Sequence, residues 1–191
     1  MKVWPEFFTY LRVPGEMDPA KYGVDLGTAE PIDRVESSVY AACQRVTKVY
    51  DGFMSHLIDW PVLCKYQYLT ERVRELISNN PRLNKDFRVV PVEKIGRLPG
   101  RATLCSVSEF IPGDNLLEVA NRQSVEERGL MIAVFNRLNA FLQRETGEDA
   151  IRIDFTNAKL DPETGIITIT DVCGQIATLN PRYKDQPAIF C

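Results

Sequence analysis

Two oxygen-bearing side chains, Asn157 and Asp171, stand at the two ends of the segment that reads most clearly as a β-hairpin. Asp161-Pro-Glu-Thr-Gly165 supplies the turn, and Ile166, Thr168 and Thr170 alternate with Ile167 and Ile169 along the outgoing strand. A chain that leaves Asn157, reverses there and returns to Asp171 carries both side chains to one end. Amide and carboxylate oxygens suit a hard cation such as Mg²⁺, which takes one or two protein ligands and fills its shell with water and nucleotide phosphates. The pattern therefore points to a place for a metal-nucleotide. Asn and Asp also gather at strand ends for their turn chemistry alone, so the rest of the chain must separate the two readings.

The elements that would position this pair are legible along the 191 residues. Residues 1–20 are rich in Pro, Gly and aromatics and read as an irregular arm. Tyr22–Leu26, Ser38–Cys43 and Arg45–Tyr50 are short β-branched or aromatic runs with turns between them, which predicts an antiparallel meander. From Pro61 to Asn79 the period changes: Leu63, Tyr66, Leu69, Val73, Leu76 and Ile77 recur at helical steps, with Pro61 near the start and Asn79-Asn80-Pro81 closing the run. Two strands follow, Phe87–Val92 and Thr103–Phe110, and a short helix over Asn115–Asn121 comes after the Pro112-Gly113-Asp114 break. The second long helix opens on a capping box, Ser124-Val-Glu-Glu127, shows an apolar stripe of Leu130, Val134, Leu138, Phe141 and Leu142, and ends at Gly147.

Composition limits the function classes. A formal net charge of −3 offers no basic excess for counterion release from a nucleic acid, so none is expected as partner. No apolar run approaches the ~20 residues needed to cross a bilayer, and the start, Met-Lys-Val-Trp-Pro-Glu-Phe-Phe, lacks the small-residue site of a signal peptide. The five cysteines, Cys43, Cys64, Cys105, Cys173 and Cys191, are scattered without any C-x-x-C pair, which favours a reducing, cytoplasmic setting over a disulfide framework or zinc site. His56 is the only histidine and reads as a surface or interface residue. Chemistry that needs two imidazoles is thereby removed.

In this order, with these residues at the joints, the chain resembles the protein-kinase-like fold over roughly residues 21–180. The resemblance implies an α+β, two-lobed protein: an arm at 1–20, an N-lobe at 21–110 with a five-stranded antiparallel sheet and one helix, and a truncated, mainly helical C-lobe at 111–191. Leu26-Gly27 and Val39-Tyr40 are similar to the first two strands with their nucleotide-covering loop, and Val46-Thr-Lys48-Val49 to the strand with the phosphate-binding lysine. Glu71, or failing that Glu75, would be the helix acid holding Lys48. Val107-Ser-Glu109-Phe-Ile111 is similar to the hinge, whose backbone at Glu109 and Ile111 would meet adenine, with Ser108 in the gatekeeper position. Asn157 and Asp171 match the two metal ligands, and the implied cofactors are ATP and Mg²⁺.

Departures from the family pattern shape the function that follows. The family places its catalytic Asp five residues before the metal-binding Asn, where this chain has Arg152, and the usual histidine is absent. Asp154 is the nearby carboxylate that could serve as base; its plainer reading is a loop acid paired with Arg152 or Lys159. The covering loop is long and acidic (Glu30, Asp33, Glu36) with Gly27 as its only glycine, and Cys173 replaces the usual glycine two places after Asp171. Fewer than twenty-five residues follow Asp171, leaving no room for a long activation segment. Expected function is therefore a divergent phosphotransferase acting on a protein or small-molecule hydroxyl, or alternatively a pseudokinase that binds a protein partner. Nucleotidyl transfer at the same site, and a small α+β domain acting through an aromatic arm (Trp4, Phe7, Phe8, Tyr10), are the remaining readings.

Overall fold

A computed structural model describes residues 14–32, 37–52 and 55–182; Trp4, Phe7, Phe8, Tyr10, Asp33 and Glu36 lie outside them. The chain is α+β, with three α-helices and two four-stranded, mostly antiparallel sheets among the described residues. It divides into two compact units. The first comprises residues 1–68, 92–110 and 175–191, and the second residues 69–91 and 111–174. No described helix is long and apolar enough to cross a membrane.

In the first unit, β1 (Ser38–Ala42), β2 (Arg45–Val49), β5 (Leu104–Glu109) and β4 (Val92–Arg97) pair antiparallel in the order β1-β2-β5-β4. The β1–β2 turn uses Cys43 and Gln44, both at positive φ (49° and 59°), the geometry that follows the right-handed twist of a tight hairpin. Alternation along β2 places Thr47 and Val49 on the face that packs with Met17, Val24, Tyr40, Leu98, Cys105 and Val107.

The five-stranded sheet expected here is four-stranded among the described residues. Tyr22–Leu26 is not a strand: Asp18 caps a 3₁₀ turn over Pro19–Tyr22, and Gly23 ends it in the left-handed region. What lines the far edge instead is Gly15–Met17. Met17 N–H donates to the Arg97 carbonyl (2.8 Å) and Arg97 N–H to the Gly15 carbonyl (2.9 Å), alongside a parallel bridge from Glu16 to Arg97.

Helix α1 (Trp60–Ser78) starts where the Asp59 carboxylate accepts the Val62 N–H, and its predicted stripe is buried at Leu63, Tyr66, Leu69, Val73 and Ile77. The run expected as one strand, Phe87–Val92, is split at Pro91, which has no N–H for a ladder. In the second unit β3 (Phe87–Val89) pairs in parallel with β8 (Ile167–Ile169), whereas β4 belongs to the first sheet.

The second unit's sheet runs β3-β8-β7-β6, with β7 at Ala158–Leu160 and β6 at Asp114–Asn115. Within residues 111–174 two helices hold most of the regular structure, and this sheet adds three short strands to them. Gly113 permits the close β6–β7 approach: at φ 119°, a Cβ there would stand 2.9 Å from the Leu160 carbonyl oxygen. Helix α2 (Leu116–Arg122) leads into α3 (Val125–Thr146), which carries the predicted capping box at Ser124 and Glu127 and ends at left-handed Gly147. The stripe on α3 differs from expectation. Phe135, Leu138 and Leu142 are buried, while Leu130 and Val134 are exposed.

Candidate functional site

In the second unit the hairpin ends are held by the pairing itself. Ala158 faces Ile169 and Leu160 faces Ile167, so Asn157 falls opposite Thr170, whose N–H donates to the Asn157 carbonyl at 2.8 Å. Asp171 is the next residue. The turn is closed by Asp161, whose carboxylate accepts the Thr164 hydroxyl (2.6 Å) and the Glu163 N–H (3.0 Å). Those bonds, the hydroxyl first, hold the Asp161 carboxyl below the usual carboxylate range.

The loop before the hairpin alternates in burial. Ile151 and Ile153 point into the core, leaving Arg152 exposed and Asp154 half-buried. Three features fix its backbone. Ile151 bridges Cys173 while Arg152 N–H donates to the Val172 carbonyl (3.0 Å). Asn139 on α3 exchanges two hydrogen bonds with Ile153, donating to its carbonyl and accepting its N–H, both at 2.8 Å. One helical turn further, Gln143 donates to the Ile151 carbonyl at 2.7 Å. Below them Phe155 and Phe87 meet the edges of Phe135, with ring centroids 5.1 and 6.0 Å apart.

Asp154 caps the 3₁₀ turn Phe155–Asn157. Its Oδ1 accepts both the Thr156 N–H (2.8 Å) and the Thr156 hydroxyl (2.5 Å). The pairing considered for it, with Arg152 or Lys159, is replaced by this local bond. The Asn157 side-chain amide donates to the Arg152 carbonyl at 3.4 Å, which orients its oxygen away from that carbonyl. The Cys173 N–H donates to Asp171 Oδ1 at 3.0 Å. No cluster of three or more His, Cys, Asp or Glu side chains able to hold a metal occurs among the described residues. One amide oxygen and one carboxylate therefore fit a cation that brings most of its ligands with a nucleotide, and do not fit a metal caged by protein alone.

In the first unit Lys48 lies on the sheet face opposite the apolar core. Its register partner is Ser106, and Val46 beside it pairs with Ser108. Ser106 Oγ and Tyr50 Oη share a buried hydrogen bond of 2.9 Å, so this face is lined by hydroxyls. Glu109 is exposed at the end of β5, and Phe110 N–H donates to the Gln44 carbonyl. Near the covering loop, the Gly27 N–H is taken by Asp25 Oδ1 at 2.9 Å.

Glu71 and Glu75 lie on the part of α1 assigned to the second unit. The Glu71 carboxylate receives Nε of Arg74 at 3.1 and 3.0 Å, with a closer contact from Nη2, and Arg72 Nη1 reaches Glu75 at 3.3 Å. The Glu71 hydrogen bond raises the Arg74 guanidinium above its ordinary value.

Asn139, Gln143 and Thr156 escape the sequence reading. The spacing of Asn139 and Gln143, four apart on one face, was the available signal, but amides on a helix are ordinary surface residues unless the loop they clamp is known.

No protein-family model matches the chain, and no curated protein matches it. Among solved structures, Rv3197 of Mycobacterium tuberculosis, in complex with erythromycin, is 16% identical over 74% of this chain and 44% of that one, with a TM-score of 0.41. Rad53 residues 1–466, in complex with AMP-PNP, is 16% identical over 75% and 36%, with a TM-score of 0.42. WbdD, a bifunctional kinase-methyltransferase, is 16% identical over 76% and 31%, with a TM-score of 0.39. The chain spans less than half the length of each of these proteins. Likeness at this level assigns neither family nor ligand to this chain.

Proposed function

We propose that the chain is a kinase-like nucleotide-binding protein and a divergent ATP- and Mg²⁺-dependent phosphotransferase acting on a hydroxyl of a protein or small molecule. The observation that carries this reading is the locked loop-and-hairpin of residues 151–174, which returns an amide and a carboxylate to one end of a short hairpin. Asn157 and Asp171 hold the metal. Lys48 contacts the nucleotide phosphates, with Glu71 or Glu75 as its carboxylate in competition with Arg74 or Arg72; its part rests on chain order and on the hydroxyl-lined face it shares with Ser106. Backbone at Glu109 and Ile111 meets the adenine.

Bound ATP and Mg²⁺ supply the transferable phosphoryl group and the charge that offsets its oxygens. Asp154 takes the acceptor's proton. Its Oδ1 accepts two hydrogen bonds from Thr156, which leaves Oδ2 as the oxygen for the acceptor's proton. A positioned base contributes about 10²–10⁴-fold.

A second reading, a pseudokinase presenting a protein-binding surface, is favoured by two observations: Arg152 is exposed at the family's base position, and the Gly27 N–H is committed to Asp25. Turnover separates the readings. Wild type should release γ-phosphate from ATP with Mg²⁺, and Asp154→Asn should lower that rate by about 10²-fold or more. Equal rates would remove Asp154 from the base role, and no turnover in either protein despite a Mg²⁺-ATP thermal shift would favour the pseudokinase.

A further inference from the structure

Helix α3 carries an apolar strip that its own unit leaves bare. Leu130 is 64% exposed and Val134 45%, although both are large aliphatic side chains on a helix whose core face is already occupied by Phe135, Leu138 and Leu142. Steps of three and four residues place Glu127, Leu130, Val134 and Arg137 in one line, the 3.5-residue spacing of a helix-pairing seam. Val125 and Ile132, also exposed and seven apart, fall on the opposite flank and lie outside this line.

The order of the strip, acid-Leu-Val-base, is self-complementary in one orientation only. A second copy running antiparallel about a two-fold axis beside residue 132 sets Leu130 against Val134 of the partner and Glu127 against Arg137 of the partner. Symmetry repeats both contacts. A parallel pair would instead set acid on acid and base on base. Arg137 has no ion-pair partner among the described residues and is exposed. Glu127 bonds Ser124 through Oε2 alone, so Oε1 remains for an incoming guanidinium. Ser124 also holds the Glu127 carboxyl below its ordinary range, keeping it charged.

We infer that the Glu127–Arg137 face of α3 is an antiparallel, two-fold homodimer interface. The seam is short, so the dimer is weak and salt-sensitive, with apolar contact supplying affinity and the two ion pairs supplying orientation.

Sedimentation equilibrium on the full chain, from low micromolar to hundreds of micromolar, tests this. Wild type should pass from monomer to dimer, and Leu130→Glu should remain monomeric with an unchanged circular dichroism spectrum. Arg137→Glu alone and Glu127→Arg alone each place like charges across the axis, and each should weaken the dimer by tenfold or more. Mixed together, they restore both ion pairs, so the mixture should form a heterodimer at least as tight as the wild-type dimer. Arg137→Glu keeps the helix cap, so loss of folding cannot account for its effect. Wild type that stays monomeric throughout, or charge variants that fail to complement when mixed, would overturn the inference.

Discussion

Asn139 offers the sharpest test of how the candidate site is held. Its side chain makes reciprocal 2.8 Å bonds with the N–H and carbonyl of Ile153, a residue with 1% of its surface exposed. Asn139→Ala leaves both backbone groups without a partner, and a buried unpaired group costs about 1–3 kcal/mol. Asn139 is half-buried, so water recovers part of one bond. A net loss of about 2–4 kcal/mol follows, and at about 2–4 °C per kcal/mol for a chain of this size the melting temperature should fall by roughly 4–16 °C. Asn139→Asp keeps the acceptor for the Ile153 N–H and loses the donor, so it should fall between. Asn136→Ala, on an exposed position of the same helix, is the control and should change stability by no more than about 0.5 kcal/mol. Urea titration followed by circular dichroism gives all three values. If Asn139→Ala matched Asn136→Ala, the clamp would not be what fixes the 151–154 loop.

Other perturbations follow from single features. The Thr47 hydroxyl is fully buried without a hydrogen-bond partner among the described residues, so Thr47→Val should stabilise the first unit by about 1 kcal/mol; a destabilisation in urea titration would contradict that packing. Phe135→Ala removes the ring that both Phe87 and Phe155 abut and should cost about 3–5 kcal/mol by the same assay. The Glu127 carboxyl is depressed by the Ser124 bonds, so its contribution is present above the unfolded carboxylate value and is lost as pH falls through the folded one. The stability gap between wild type and Ser124→Ala should accordingly be full at neutral pH and narrow in acid; a gap that widened in acid would reverse the assignment. Burial pushes the Cys64 thiol up to about 11 and Cys105 to about 12. At pH 8 a thiol reagent followed by peptide mass mapping should therefore modify exposed Cys43 and spare both until the chain unfolds.

What could be read beforehand was whatever local chemistry determines. The Ser124 capping box, the Gly147 stop, the Asp161–Gly165 turn and the register it imposes on Ala158–Leu160 and Ile167–Ile169 are all local. Misreadings arose where a distant partner decides. Tyr22–Leu26 has strand composition, yet Asp18 and Pro19 start a 3₁₀ turn just before it, and the sheet edge is taken by Gly15–Met17. Phe87–Val92 looks continuous because nothing in its period tells that its halves pair with different sheets. The exposed Leu130 and Val134 satisfy helical periodicity as well as Leu138 does; only the packed neighbours distinguish them. In the candidate site, the placing of Asn157 and Asp171 at the two hairpin ends follows from spacing, while the Thr156 bond to Asp154 depends on a short turn that the sequence does not advertise.

The proposed activity depends on Asn157 and Asp171 jointly holding a divalent cation with a nucleotide. Calorimetric titration of ATP into the full chain, with Mg²⁺ and then with EDTA, tests it most directly when repeated on Asn157→Ala, Asp171→Ala and the remote Glu163→Ala. Heat of binding should appear only with Mg²⁺, survive in Glu163→Ala, and weaken at least tenfold in each of the other two, about 1.4 kcal/mol or more. Absence of binding in wild type, or equal affinity with and without the metal in all four proteins, would contradict it.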